Sequence, residues 1–128
     1  MDESSLLLRQ IPHSIEAEQS VLGAMLIDAR CIPDVVEALT GEDFYLKANR
    51  EIYETIYTMF NFSATIDPVT VLDQMKLTGV YDENTSRSYL LQLMEITPTA
   101  ANVKEYIRIV KDKALLRRIA ETAGELTT

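Results

Sequence analysis

The final segment of the chain carries an apolar pattern that one straight helix cannot bury against one core. Between Thr99 and Glu125 there is no proline and only one glycine, Gly124, which predicts a helix longer than the usual globular range. Apolar residues of its first half share one face: Val103, Tyr106, Ile107, Val110 and Ala114. Those of its second half cluster on nearly the opposite face: Leu115, Leu116, Ile119, Ala123 and Leu126. Because no Gly or Pro near Lys113 could bend the helix, we expect the second half to leave the core and to be covered by another helix.

Upstream of this segment, caps and breakers predict further helices. Ser14 can cap a helix from about Ile15 to Asp28, in which Ile15, Leu22, Met25 and Leu26 share a face. Asp67 and Pro68 open a helix that stops by Gly79. Other helices are predicted over residues 33–39, over residues 47–60 and around Tyr89 to Met94, the last ended by Pro98. No segment alternates with a period of two, so the expected fold class is all-α. We expect residues 1–13 to form an N-terminal arm, 14–98 a globular helical subdomain and 99–128 the long helix.

Charge divides the chain in the same place. The net charge of -8 is the sum of -10 over residues 1–102 (16 acidic, 6 basic) and +2 over residues 103–128 (4 acidic, 6 basic). An acidic body argues against a main role in gripping nucleic acid. The single cysteine, Cys31, favours a reducing compartment, and neither a signal peptide nor a membrane-length apolar run is visible. We therefore expect a cytoplasmic protein without a membrane partner.

The usual equipment for catalysis is not visible. Each of the four glycines is followed by Ala, Glu or Val, whereas a phosphate-binding loop requires Gly-Lys-Ser/Thr. His13 and Cys31 are the only residues of their types, so a zinc site of several His and Cys ligands cannot form. We expect a solvent-facing or capping role for His13 and a buried, inert Cys31. The carboxylate pairs Glu16/Glu18 and Glu51/Glu54 are expected to be solvated. No catalytic, cofactor-binding or metal-binding residue is predicted, and the residues indicate a helical interaction module.

Two further features bear on partners. Arg117 and Arg118 share their side of the long helix with Glu121 and Glu125, and such a mixed face favours solvent or protein over nucleic acid. Tyr89 lies in an apolar stripe that favours the core, although its place at the start of a helix leaves access to the surface open.

Several segments, taken in order, carry a family resemblance. They are Ser14 to Gly23 (SIEAEQSVLG), Glu42 to Tyr45 (EDFY), Thr97 to Asn102 (TPTAAN), and Tyr106, Ile109, Val110, Lys113 and Leu116 to Arg118. This series resembles the N-terminal domain of the bacterial replicative DNA helicases of the DnaB type.

The resemblance implies an all-α globular bundle followed by a long helix that begins a helical hairpin. In that family, hairpins pair into dimers, and three dimers form a collar on a hexameric ring that recruits primase and, we expect, a helicase loader. A separate RecA-like motor domain uses ATP and Mg and moves on single-stranded DNA. We expect this chain to stop inside the hairpin, before any motor, and therefore to hold no cofactor of its own.

Carried over by position, the resemblance assigns two sets of residues. Primase contacts would involve Glu16, Tyr89, Arg117 and Leu126. Hairpin pairing would use Leu115, Leu116, Ile119 and Ala123.

Two alternatives remain beside the collar domain. The helicase-binding domain of a primase resembles the same fold, although the Glu-Ala-Glu-Gln and Thr-Pro-Thr-Ala-Ala-Asn segments favour the helicase. A small helical hydrolase using surface carboxylates has no support in the residues.

Overall fold

The computed structural model describes residues 11–124, and these fold into six α-helices without a strand. The helices are α1 (Ile15–Ile27), α2 (Ile32–Ala38), α3 (Lys47–Asn61), α4 (Pro68–Thr78), α5 (Ser86–Glu95) and α6 (Val103–Thr122). Short 3-10 turns at Ala29–Cys31 and Gly41–Asp43 precede and follow α2. The all-α fold class is thus confirmed. Within this range no helix is both long and apolar enough to cross a bilayer.

Three helix ends are set by the capping or terminating residues that the sequence predicted. The Ser14 hydroxyl accepts a hydrogen bond from the Ala17 amide at 3.2 Å and begins α1. Asp67 and Thr70 cap α4 reciprocally, each side chain accepting from the other's backbone amide at 2.9 Å. Gly79 ends α4 with φ +80, a left-handed conformation that glycine adopts without steric cost.

Helix α1 lies at the centre of the bundle and packs against both α5 and α6. Val21, Leu22, Ala24 and Met25 are completely buried. Ile15, which the helical pattern placed on the same apolar face, is instead 37% exposed at the first turn. Because α1 is surrounded by other helices, most of its circumference is buried, and one apolar stripe describes it poorly.

The close approach of α1 and α5 depends on a glycine. A Cβ atom added at Gly23 would stand 2.7 Å from Thr97 Cβ and closer still to Thr97 Oγ1 and the Leu93 carbonyl oxygen. Real Cβ atoms do not approach neighbours so closely, so only glycine lets α1 pass the end of α5 at this separation.

Helix α6 follows the predicted pattern only in part. Its first half buries Val103, Ile107, Val110 and Ala114, as expected. The expectation that its second half leaves the core is wrong, because the Arg117 side chain is buried at 9% exposure and bonds to the globular body. The helix runs on without a break, and polar contacts replace apolar ones on its inner side.

The proposed division at residue 98 stays a prediction, and residues 1–10 of the predicted arm lie outside the described residues.

Candidate interaction surface

Helix α6 presents an uncovered apolar face on its outer side. Leu115, Leu116 and Ile119 are 53%, 47% and 56% exposed, and we call them the α6 apolar face. Burying such a side chain fully stabilises a protein by about 1.5–3 kcal/mol, so these three favour a covered state. Of the other two residues predicted to join them, Ala123 is exposed and Leu126 lies outside the described residues.

Two arginines attach the inner side of the same stretch of α6 to the globular body. Arg117 donates from Nη2 to the Asp43 carbonyl at 2.7 Å and from Nη1 to the Pro12 carbonyl at 2.8 Å. Its guanidinium carbon lies 5.5 Å from the centroid of the Tyr45 ring, within range of a cation–π contact. Burial lowers the pKa of this guanidinium from its ordinary value. Arg118 adds an ion pair of 3.0 Å with the Asp43 carboxylate.

Behind this contact, the buried carboxylate of Glu18 accepts hydrogen bonds from residues 45, 46 and 49. We call this set of polar contacts the Glu18 layer. Glu18 is 1% exposed, so the expectation that it is solvated is wrong. Its oxygens accept hydrogen bonds from the Tyr45 amide at 2.7 Å and from Asn49 Nδ2 at 2.9 Å, with a longer one from the Leu46 amide at 3.4 Å. The amides before α3 have no helical partner of their own, and Glu18 of α1 satisfies them from another helix.

Tyr89 joins the same polar layer from α5. Its hydroxyl donates to Asn49 Oδ1 and accepts from Gln19 Nε2 at 3.3 Å. The residue is half-buried, and burial raises the pKa of its phenol. Both readings of Tyr89 were therefore partly right: its hydroxyl bonds to Asn49 and Gln19 within the bundle, and the residue as a whole is neither fully buried nor fully exposed.

The structure brings together two of the four residues predicted to contact primase. Tyr89 and Arg117 reach the Glu18 layer from different helices, through Asn49 and Tyr45 respectively. Glu16 is exposed on the first turn of α1 and does not enter this layer, and Leu126 lies outside the described residues. The primase roles of all four stay predictions.

Sequence reasoning missed the members that connect the layer. Asp43, Tyr45 and Asn49 received no role, because the partners that connect them to α1 and α6 are 27 to 75 residues away in the chain. The only available signal was the Glu-Asp-Phe-Tyr segment, which contributed to the family resemblance without a function attached.

The remaining single residues have structural roles. His13 stacks on Tyr45 with ring centroids 4.5 Å apart, and its Nδ1 atom lies 2.6 Å from the Ile11 carbonyl oxygen. It is therefore partly buried against the body rather than facing solvent freely. Cys31 is buried, as expected, and burial raises the pKa of its thiol to about 11. Between residues 11 and 124, no cluster of three or more His, Cys, Asp or Glu side chains could hold a metal ion.

Comparison with known proteins finds a matching family and several similar proteins. The family described as DnaB-like helicase N terminal domain matches residues 10–112. The replicative DNA helicase DnaB of Leifsonia xyli subsp. xyli is 38% identical over 93% of this chain, which spans 26% of that relative's length.

Two solved structures share the fold. The N-terminal domain of DnaB helicase from Mycobacterium tuberculosis matches with a TM-score of 0.85 and 39% identity, covering 90% of this chain and 83% of that one. A structure described as the N-terminal domain of DnaB helicase from Helicobacter pylori, with its interactions with primase, matches with a TM-score of 0.73 and 21% identity, covering 97% and 94%. At that lower identity the second match supports the fold alone.

Proposed function

This chain belongs to the DnaB-like helicase N-terminal domain family, and from that premise we propose that it is the collar module of a replicative DNA helicase. In this proposal the module assembles subunits and recruits primase, while another part of the helicase unwinds DNA. The observation that carries the proposal is the α6 apolar face, three large side chains left uncovered on a helix whose other side is fastened to the body.

Assembly follows from that face. A helix with its inner side fixed by Arg117 holds Leu115, Leu116 and Ile119 in a defined direction, suited to knobs-into-holes packing with another helix. We propose that this other helix comes from a second copy of the chain, and that dimers build the hexamer. Pairing would remove the exposed apolar surface from water.

The motor chemistry is proposed for the rest of the helicase. ATP, Mg and single-stranded DNA would be bound there, in the cytoplasm, and a loader protein would place the ring on DNA. The chain spans about a quarter of the length of the Leifsonia xyli and Geobacillus stearothermophilus relatives. The matched relatives are named as helicases, which favours this proposal over a helicase-binding domain of a primase.

Primase binding is tested by titration calorimetry of primase with the wild-type chain and with Tyr89→Ala. We expect the substitution to weaken binding by at least about tenfold, as for an aromatic residue at the centre of an interface. Tyr57→Ala is the matched control, because Tyr57 is an exposed tyrosine of α3 with no assigned role. Equal affinities for all three proteins would remove Tyr89 from the primase site, and no binding by the wild type would contradict primase recruitment itself.

A further inference from the structure

A short segment just before α1 contacts the second half of α6. Its residues are Ile11, Pro12 and His13, which lie outside every helix and are half-buried, and we call them the strap. They lead directly into Ser14, the cap of α1. The His13 Nδ1 atom lies 2.6 Å from the Ile11 carbonyl oxygen, so a contact within the strap helps to hold the ring in place.

The strap, Tyr45 and Arg117 contact one another in all three pairings. The His13 ring stacks on the Tyr45 ring, with centroids 4.5 Å apart and planes inclined by 16°. The Pro12 carbonyl oxygen accepts a hydrogen bond of 2.8 Å from Arg117 Nη1. The Arg117 guanidinium carbon in turn lies 5.5 Å from the centroid of the Tyr45 ring. Because each partner positions the other two, losing one of these three strap contacts weakens the rest.

The strap contacts act on the part of α6 that has the least apolar support. Ala114 is buried at 1% exposure, and within the described residues no apolar side chain after it is buried. Beyond this position, Arg117 and Arg118 attach the helix to the body by polar contacts. A segment with few buried apolar contacts opens locally at a lower free energy than the core. The attachment of residues 115–122 therefore depends on the strap contacts and on the turn at Asp43.

We propose that the strap is a conformational latch for the second half of α6. When the strap is closed, as in the structure, residues 115–122 are held against the body. When the strap lifts, Arg117 loses the Pro12 carbonyl and Tyr45 loses the stacked ring, so this half of the helix opens while residues 103–114 stay packed. His13 is then a positioning residue, because it acts on α6 only through Tyr45 and the strap backbone.

The latch bears on assembly, and this step rests on the proposed function. The whole α6 apolar face lies beyond Ala114, on the latched half of the helix. Helix pairing needs Leu115, Leu116 and Ile119 in fixed directions, so only the closed state is competent to pair. The apparent affinity of pairing then falls in proportion to the closed fraction. Self-association thus depends on the conformation of the strap.

Amide hydrogen exchange tests the latch, at a concentration where sedimentation shows the chain to be a monomer. In His13→Ala, exchange of residues 116–120 should accelerate by at least about threefold relative to residues 107–111, because the stacked ring is lost. His13→Phe keeps a ring on Tyr45 and should restore most of the protection. Tyr57→Ala is the matched control, since it removes one ring of the Tyr53–Tyr57 pair within α3, whose centroids are 6.0 Å apart. It should leave the ratio of the two exchange rates unchanged.

The outcomes separate the latch from its link to pairing. Equal acceleration of both ranges in His13→Ala, or no acceleration, would overturn the latch, because the ring would then support only the stability of the whole fold. In sedimentation over a concentration series, Tyr57→Ala should associate like the wild type. His13→Ala should pair more weakly by the factor that its open fraction, taken from exchange, requires; association that departs from this factor would overturn the link. A wild-type chain that never associates would contradict the proposed pairing, while the exchange ratio would still decide the latch.

Discussion

Arg117 and Asp43 stand 74 positions apart in the sequence, yet Nη2 of the arginine donates to the aspartate's backbone carbonyl at 2.7 Å. This bond fixes the second half of α6 against the turn between α2 and α3. It also decides which way the α6 apolar face points, because Leu115, Leu116 and Ile119 occupy the opposite side of the helix. One orientation of α6 therefore both attaches its inner side to the body and leaves the α6 apolar face exposed.

Replacing Arg117 by Met should lower the free energy of unfolding by about 2–3 kcal/mol, because two carbonyl oxygens lose their donor in a buried setting. Arg108→Met is the matched control. Its guanidinium is exposed and pairs with the exposed carboxylates of Glu105 and Asp112, so we expect little change in the free energy of unfolding. Urea denaturation monitored by circular dichroism measures both, and equal losses would contradict the assigned role of Arg117.

Glu18→Gln should destabilise the chain by about 1–3 kcal/mol, since the amide cannot satisfy all the donors that the carboxylate accepts. Glu16→Gln, two residues earlier on the same helix turn but exposed, should change the free energy of unfolding by less than about 0.5 kcal/mol. The comparison uses the same chemical change and the same denaturation measurement. If the two variants were equally stable, the Glu18 layer would contribute nothing to the fold.

Glu18 and Arg117 also show which contacts could not be predicted from the sequence. Ser14, Asp67 and Gly79 act on their own helix ends, so their roles could be predicted from neighbours a few positions away. Glu18 was expected to be solvated, and only hydrogen bonds from Tyr45 and Asn49, which lie in a distant segment of the chain, make it a buried acceptor. Arg117 likewise lies on a charged face by sequence, and its burial depends on the path of residues 12 and 43. The apolar reversal in α6 was predictable because it is periodic, whereas the polar contacts behind it are not.

Gly23→Ala should destabilise the chain by about 1–3 kcal/mol, although alanine favours a helix over glycine in isolation. The added methyl group would collide with the Leu93 carbonyl oxygen and with Thr97, both held at the end of α5. Gly41→Ala is the contrasting variant, because the three atoms nearest to its methyl group all belong to the exposed Glu54 side chain, which can change its rotamer. Thermal unfolding of the pair should show a clear drop in Tm for Gly23→Ala and a small change for Gly41→Ala.

The buried thiol predicts an alkaline pH dependence. Burial raises the pKa of Cys31 from 9.0 to about 11, so between these values the unfolded chain releases a proton that the folded chain keeps. The free energy of unfolding contributed by the neutral thiol is complete below pH 9 and is lost as the pH rises towards 11. Wild-type stability should therefore fall more steeply over this interval than that of Cys31→Ala. Parallel curves from urea denaturation at each pH would contradict the assigned burial of the thiol.

The central claim is that the α6 apolar face pairs with a second copy of the chain, and sedimentation over a concentration series tests it most directly. We predict that the average mass of the wild-type chain rises with concentration towards that of a dimer. Leu116→Glu should remain a monomer throughout, and Leu91→Glu, which alters an equally exposed leucine on α5, should associate like the wild type. A wild-type chain that stays monomeric up to millimolar concentration would contradict the claim.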